Sequence, residues 1–243
     1  MAKAAEISQP ECEKGSIMEI KFTNRWRETF PGGHIGLLSV ANVNNAGRSP
    51  ALEQHKREVE VDLRQKYADM SRADLLELEV FEAYKAYYKK FKKTYHVLLQ
   101  LESVLFQGKS LPAVSPLVDA GFAAELETLV LTAGHDADLL VEPVMIDAAD
   151  GSEVYRLMNG NEQQTKAGDM LMRDVVGVVC TIIYGQDQRT PISASTRRAL
   201  YVAYAPPGVR AAAVQNHLET IHDNVQLIAP QASIEYLHVE PAI

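Results

Sequence analysis

The chain has 243 residues, of which 47% are hydrophobic and 23% charged, and this composition is typical of a globular protein of one or two domains. Its formal net charge of -8 argues against binding nucleic acid by overall electrostatic attraction, so any such binding requires a local basic surface. No apolar run approaches the roughly 20 residues that a membrane-spanning helix needs.

The N-terminal residues predict no targeting signal. Residues 1–15 are polar and acidic, lack the apolar core of a signal peptide, and are expected to form a disordered leader. Two cysteines, Cys12 and Cys180, are too few for a disulfide framework. We therefore expect a cytoplasmic protein that does not enter a membrane.

The first half of the chain predicts two strands followed by helices. Residues 16–22 favour a strand, and a short helix, a turn at Pro31–Gly33 and a second strand follow. Pro50 is expected to open a charged helix that continues to Lys66. Ser71 then caps the next helix, with Asp74 three residues later.

An aromatic stripe with a basic flank follows. Apolar residues recur at steps of three and four and predict one helix with a single buried face, formed by Val80, Tyr84, Tyr88, Phe91, Tyr95 and Leu98. The flank carries four lysines that are candidates for tRNA binding: Lys85, Lys89, Lys92 and Lys93. An ordinary solvated helix face is the simpler interpretation of these lysines, and the tyrosines are expected to be core residues rather than a base-stacking surface.

The second half predicts mostly strands. A helix at about 115–131 precedes short strands near 141–147, 153–158, 169–173 and 175–184, separated by turns at Asp150-Gly151 and Asn159-Gly160. A strand through 199–206, a helix at about 208–225 and a closing strand complete the chain. With helices concentrated in 50–131 and strands in 141–243, the expected class is α+β.

Two separated stretches carry motifs of a known family. The first contains SPLVDAG at 115–121 and AGHDAD at 133–138, and the second contains YGQDQRTPISASTRRAL at 184–200. In this order and spacing they resemble the editing domain of the bacterial phenylalanyl-tRNA synthetase β subunit, and more closely the free-standing proteins built on that domain. The resemblance covers roughly residues 80–206. It implies a helical N-terminal layer packed on a mixed β-sheet or partial barrel, as a single domain over residues 16–243.

The resemblance also implies aminoacyl-tRNA as the substrate, with no cofactor and no metal. Hydrolysis of a misacylated ester needs a positioned water or hydroxyl, donors for the oxyanion, and a pocket that selects the amino-acid side chain. The candidate catalytic residues are His135, Gln186 and Asp187. The candidate ligand-binding residues are Asp119, Gly185, Gln186, Asp187, Arg189 and Thr196.

The polar loop that holds several of these candidates supports two interpretations. Gly185 allows backbone N–H groups to approach a ligand, and Arg189 suits a bidentate grip on phosphate or carboxylate. The same sequence is equally compatible with an exposed hairpin loop that contains an ordinary Arg–Asp ion pair.

The chain departs from the family pattern at a catalytic position. Ala133 replaces the family histidine that lies close to the scissile ester, and His135 follows two residues later, displaced by roughly 7 Å in an extended segment. Metal ligation is not expected. Asp136 and Asp138 suit a capped turn better than a cation site, and His217 and His222 point about 140° apart on their helix.

These observations leave three functions open. The first is a tRNA-binding protein, not a synthetase, that hydrolyses misacylated aminoacyl-tRNA esters in trans. The second is a catalytically silent binding module for an amino acid or another small polar metabolite. The third is a structural dimerisation protein, and the apolar surplus of the helical half leads us to expect a homodimer.

Overall fold

The computed structural model describes residues 18–243, so the predicted leader at 1–15 lies outside the described residues. The helices within this range are α1 (Asn24–Thr29), α2 (Pro50–Lys66), α3 (Arg72–Leu75), α4 (Glu79–Lys90), α5 (His96–Gln107), α6 (Pro116–Thr128) and α7 (Ala211–Gln226). The strands are β1 (Ile20–Phe22), β2 (His34–Ala41), β3 (Thr132–Asp136), β4 (Val144–Ala148), β5 (Val154–Arg156), β6 (Glu162–Gln164), β7 (Met170–Arg173), β8 (Val178–Thr181), β9 (Gly185–Gln186), β10 (Arg198–Ala205) and β11 (Ser233–Pro241). The predicted α+β class is confirmed.

The strands form two main sheets. The mixed sheet has the order β1-β4-β7-β8-β9, with β1 parallel to β4 and the other neighbours antiparallel. The antiparallel sheet has the order β11-β2-β10-β3, and a separate ribbon pairs β5 with β6. Both main sheets are open at their edges, so the described residues contain no closed barrel.

The helix starts follow local sequence signals. Pro50 occupies the first turn of α2, and the Ser49 hydroxyl accepts a hydrogen bond from the Leu52 backbone N–H. The predicted capping box is confirmed, because Ser71 and Asp74 exchange side-chain and backbone hydrogen bonds at the start of α3. These short-range signals determine where α2 and α3 begin in the sequence.

The prediction of one helix through the aromatic stripe was wrong. The stripe is divided between α4 and α5, because α4 ends at Lys90 and Lys92 adopts a left-handed backbone conformation with a φ of 56°. No glycine or proline marks this break, which is why the periodicity conceals it. The aromatic rings nevertheless remain on one buried face, and Tyr84 stacks on Tyr95 with ring centroids 4.1 Å apart.

The prediction that these tyrosines are core residues is confirmed. Tyr84 is completely buried, and its hydroxyl joins the helical layer to the antiparallel sheet. That hydroxyl donates to the Tyr204 carbonyl at 2.7 Å and accepts from the Leu131 N–H at 2.9 Å. The connection fixes the start of β3 against β10, at the edge of the sheet where the candidate site lies.

Candidate functional site

A cavity of about 420 Å³ opens beside strand β3. Helix α6 forms one wall, and strands β8 and β9 with the loop that follows form the other. Most of the lining is apolar and includes Val118, Phe122, Leu131, Ile182 and Ile192. A concave, largely apolar cavity with a few polar groups is typical of a small-ligand site.

Glycines shape the cavity walls. A side chain at Gly134 would place its Cβ 2.8 Å from Ile192 Cδ1, so a larger residue here would push the Ile192 side chain aside. Gly185 has a φ of 85°, and its carbonyl accepts a hydrogen bond from the Tyr155 hydroxyl at 2.9 Å. The backbone of both glycines therefore borders the cavity directly.

The buried carboxyl of Glu125 is the most unusual group in the cavity wall. Its Oε1 accepts a hydrogen bond from the Thr132 backbone N–H at 2.7 Å, whereas Oε2 has no hydrogen-bond partner among the described residues. Burial raises the pKa of this carboxyl to about 8, so Glu125 is largely protonated at neutral pH.

Thr132 also contributes a hydroxyl that is bonded to a buried histidine. Its Oγ1 is hydrogen-bonded to His217 Nε2, and His217 Nδ1 lies 2.6 Å from Thr128 Oγ1. Because the Thr128 hydroxyl donates to the Ala124 carbonyl, His217 Nδ1 carries the ring proton and Nε2 accepts from Thr132. Burial lowers the pKa of His217 to about 3, so the ring is neutral.

His135, a candidate catalytic residue, lies behind the cavity wall. Its side chain is completely buried, and burial lowers its pKa to about 3. Gln186 Nε2 lies 2.9 Å from His135 Nδ1, and the Thr190 hydroxyl lies 3.1 Å from the same ring nitrogen. The other ring nitrogen, His135 Nε2, has no partner among the described residues. Ala133, in contrast, lines the cavity.

The structure separates the other candidates of the polar loop. Gly185 and Gln186 line the cavity, whereas Asp187 and Arg189 do not. Arg189 Nε lies 2.8 Å from Asp187 Oδ2, and its two terminal nitrogens lie 3.1 and 3.2 Å from the buried Asp174 carboxylate. The guanidinium is thus held by two buried carboxylates, which favours the structural interpretation of this loop. A ligand role for Arg189 stays a prediction.

Asp119 and Thr196 are also engaged elsewhere. Asp119 is buried and pairs with the buried ammonium of Lys56 at 2.8 Å. The Thr196 hydroxyl donates to Asp136 Oδ2 at 2.7 Å. Asp136 also caps the turn that follows β3, as expected, by accepting from the Asp138 N–H. No group of three potential metal ligands occurs within residues 18–243.

The candidate tRNA-binding lysines lie on the surface of α4 and the turn that follows it. Lys85, Lys89, Lys92 and Lys93 are all exposed. Lys93 Nζ lies 5.8 Å from the centroid of the Tyr184 ring, next to Gly185 of the cavity wall. His96, at the start of α5, lines the cavity itself. Of the four lysines, Lys93 thus lies beside a residue that adjoins the cavity wall.

A comparison with known families identifies the domain. Residues 80–225 match the family model described as the B3/4 domain, which is more than half of the chain. The chain belongs to the B3/4 domain family. The resemblance inferred from the sequence motifs is thereby confirmed. The matched span of this B3/4 protein contains the whole of α6, β3 and β8 to β10, and hence most of the cavity wall.

Comparison with solved structures gives a distant similarity. The chain is similar to an N-terminal fragment of the phenylalanyl-tRNA synthetase β subunit from Pyrococcus horikoshii, with 11% identity and a TM-score of 0.48. The similarity covers 94% of this chain and 55% of that fragment, so the B3/4 protein spans about half of the fragment's length. No curated protein matches the sequence. No helix of residues 18–243 is both long and apolar enough to cross a membrane.

Glu125 was missed by the sequence reasoning, although a signal was present. It lies in the run GFAAELE at 121–127 of α6, a helix in which nine of 13 residues are buried. A charged residue inside an apolar helix segment is seldom fully buried without a partner. This charged residue in an apolar segment could have been recognised from the sequence, whereas its hydrogen-bond partners are known only from the fold.

Proposed function

We propose that this B3/4 protein binds aminoacyl-tRNA, with the amino-acid side chain in the cavity and the terminal phosphates of the tRNA against Lys89, Lys92 and Lys93. The observation that supports the proposal is the contact between Lys93 and Tyr184, the residue that directly precedes Gly185 of the cavity wall. A substrate with an apolar head and a polyanionic tail matches an apolar cavity with a cationic rim. Because the whole chain has a net charge of -8, the binding must depend on this local surface.

Charge reversal tests the proposal. The triple variant Lys89→Glu, Lys92→Glu and Lys93→Glu is expected to weaken tRNA binding at least tenfold. If each lysine neutralises one phosphate, the slope of log affinity against log salt should fall by about three. Filter binding with aminoacylated tRNA at several salt concentrations measures both quantities.

A matched control separates local contacts from net charge. Reversal of the exposed lysines Lys66, Lys109 and Lys166 changes the net charge by the same amount at sites away from the cavity. This control is expected to retain most of the affinity. Equal weakening in both variants, or no weakening in the first, would remove the lysines from the proposed interface.

Hydrolysis of the bound ester is a second candidate, favoured by the Thr132–His217 pair. A hydroxyl bonded to an imidazole, with the imidazole oriented by a third group, is the general arrangement of an activated nucleophile. The pKa of His217, lowered to about 3 by burial, makes it a weak base. Binding is therefore the better supported function.

Removing the Thr132 hydroxyl tests hydrolysis separately from binding. We expect Thr132→Val to abolish any deacylation of tRNA-Phe mischarged with tyrosine, or of a panel of other misacylated tRNAs, while tRNA binding persists. Thr220→Val is the control, because the Thr220 hydroxyl donates only to the Asn216 carbonyl within α7 and does not line the cavity. Deacylation that continues in Thr132→Val would exclude this hydroxyl from the chemistry.

A further inference from the structure

Of the four edges of the two main sheets, only that of β11 is both long and uncovered within residues 18–243. Strand β1 has three residues and β9 has two. The edge of β3 is covered by the loop after β9, because the Asp136 N–H donates to the Thr190 carbonyl and His135 pairs with Pro191. Strand β11 has nine residues, all exposed or half-buried, beside the almost entirely buried β2. A long open edge presents backbone groups to which another strand can pair.

The hydrogen bonds at the C-terminal end of β11 show which backbone groups point outward. Pro241 lies opposite His34 of β2. The Ala242 N–H donates to the Gly33 carbonyl at 2.9 Å, so the residues on either side of Pro241 bond to β2 and Pro241 itself points away from it. The outward carbonyl of Pro241 accepts from Arg27 Nη1 at 3.0 Å. The outer edge is therefore closed at this end.

Two residues farther back leave their backbone groups free. Because bonded residues alternate along an antiparallel strand, Val239 and Leu237 share the outward direction of Pro241. Their N–H and C=O groups have no partner within residues 18–243. Beyond them the register shifts between Ile234 and Tyr236, and this bulge ends the regular pairing. The open edge thus offers two donors and two acceptors between a proline and a bulge.

We propose that this protein forms a homodimer in which β11 pairs antiparallel with β11 of a second copy, about a twofold axis at His238. This register places Leu237 of each copy opposite Val239 of the other, so all the free groups are joined in hydrogen bonds. An axis at Leu237 would set Val239 against the bulge of the other strand. An axis at Val239 would set Leu237 against Pro241, which has no N–H.

The side chains of β11 suit the same register. Leu237 and Val239 are partly buried apolar residues, and they would form two apolar cross-strand pairs on one face of the joined sheet. On the other face, Tyr236 would lie opposite Glu240 of the second copy. The two His238 side chains, each 41% exposed, would be neighbours at the axis.

The shortness of the open edge favours a second copy over a separate peptide. A free peptide would lose its conformational entropy for a few backbone bonds, whereas the second copy offers a strand already ordered by its own sheet. Pairing about a twofold axis also uses the β11 edge of both copies, so no edge is left for a third. The expected assembly is a closed dimer.

Sedimentation measures the association. A short interface makes a weak dimer, so analytical ultracentrifugation should extend to protein concentrations of about 1 mM. Val239→Pro should weaken the dimer at least about tenfold, because it removes an outward N–H from each strand and puts a ring at the interface. That N–H makes no bond within the monomer, so the sheet should tolerate proline there as it does at Pro241. Val239→Thr is the control, because it keeps both the N–H and the branched shape, and it should still dimerise.

Disulfide cross-linking tests the register without the proline variant. In a Cys12→Ser background the remaining natural cysteine is the buried Cys180. His238→Cys should then form a disulfide-linked dimer under mild oxidation, because the Cα atoms of a non-hydrogen-bonded pair lie roughly 4.5 Å apart. Tyr236→Cys is the matched control. It should not cross-link, since the register separates the two copies of residue 236 by roughly 13 Å along the strands.

Several results would overturn the proposal. A wild-type protein that stays monomeric at the highest concentration is one, and assembly beyond a dimer is another. Dimerisation unchanged by Val239→Pro, or cross-linking of Tyr236→Cys as readily as of His238→Cys, would place the interface elsewhere. The proposal does not depend on tRNA binding, because β11 contributes no residue to the cavity and lies apart in sequence from the lysines of α4.

Discussion

Replacing Lys56 with methionine is expected to lower the free energy of unfolding by about 3–5 kcal/mol, because it leaves a buried carboxylate without its partner. Lys56 Nζ lies 2.8 Å from Asp119 Oδ2, and both side chains are only 4% exposed. Lys56 also donates to the Pro112 carbonyl at 2.7 Å, and Asp119 Oδ1 accepts from the Val114 N–H at 2.8 Å. This pair therefore holds α2, α6 and the segment between α5 and α6 together.

Urea denaturation of Lys56→Met measures the effect as a shift of the midpoint at constant slope. Lys66→Met on the same helix is the control. Lys66 is exposed and contacts only the ring of Tyr67 among aromatic groups, so its loss should cost less than about 1 kcal/mol.

A double variant distinguishes the cost of an unpaired buried charge from the cost of lost packing. Replacing Lys56 with methionine and Asp119 with leucine removes both charges, so much of the lost stability should return. If Lys56→Met were as stable as the wild type, the pair would not be a structural anchor.

Replacing Glu125 with glutamine is expected to stabilise the protein by about 3 kcal/mol at pH 7. The pKa of Glu125 is about 8 in the folded protein, against 4.5 for an unperturbed glutamate, so the unfolded chain releases this proton at a lower pH. The stability that protonated Glu125 contributes is complete below pH 4.5 and is lost as the pH rises to 8. Over that window the wild type should lose on the order of 4–5 kcal/mol through this group.

Denaturation of both proteins between pH 4 and pH 9 measures the difference directly. Other groups titrate in the same window, including Asp169, whose pKa burial raises to about 6, but they are common to both proteins and cancel. Glu58→Gln, at an exposed site on α2, controls for the loss of one carboxyl. Parallel stability curves for wild type and Glu125→Gln would show that Glu125 ionises freely in the folded state.

The sequence predicted the elements better than the contacts. Helix α2 and the capping box at Ser71 depend on neighbouring residues, so local reading located them. The division between α4 and α5 was not predicted, because the residue that adopts the left-handed backbone conformation is Lys92 and not a glycine. Backbone conformations of this kind are set by tertiary packing, which local propensity does not describe.

The same limit applies to the site. Glu125 and Arg189 are both recognisable as polar residues, but their partners are distant in sequence or depend on how strands meet. The Arg189 guanidinium pairs with the Asp174 carboxylate, which follows β7. It is therefore not a free group waiting for a phosphate, as the sequence alone allowed. Sequence spacing shows which residues are available, whereas the fold determines which of them remain unpaired.

The central position of β2 has a consequence for how the protein is made. Strand β2 is almost entirely buried, yet both of its partners are synthesised much later, since Arg198 of β10 and Ser233 of β11 each pair with Ala41. An apolar strand with two open edges is a template for pairing with other chains. Strand β2 therefore stays without either partner until residues 198–241 have been synthesised, so its pairing cannot begin while the N-terminal half emerges.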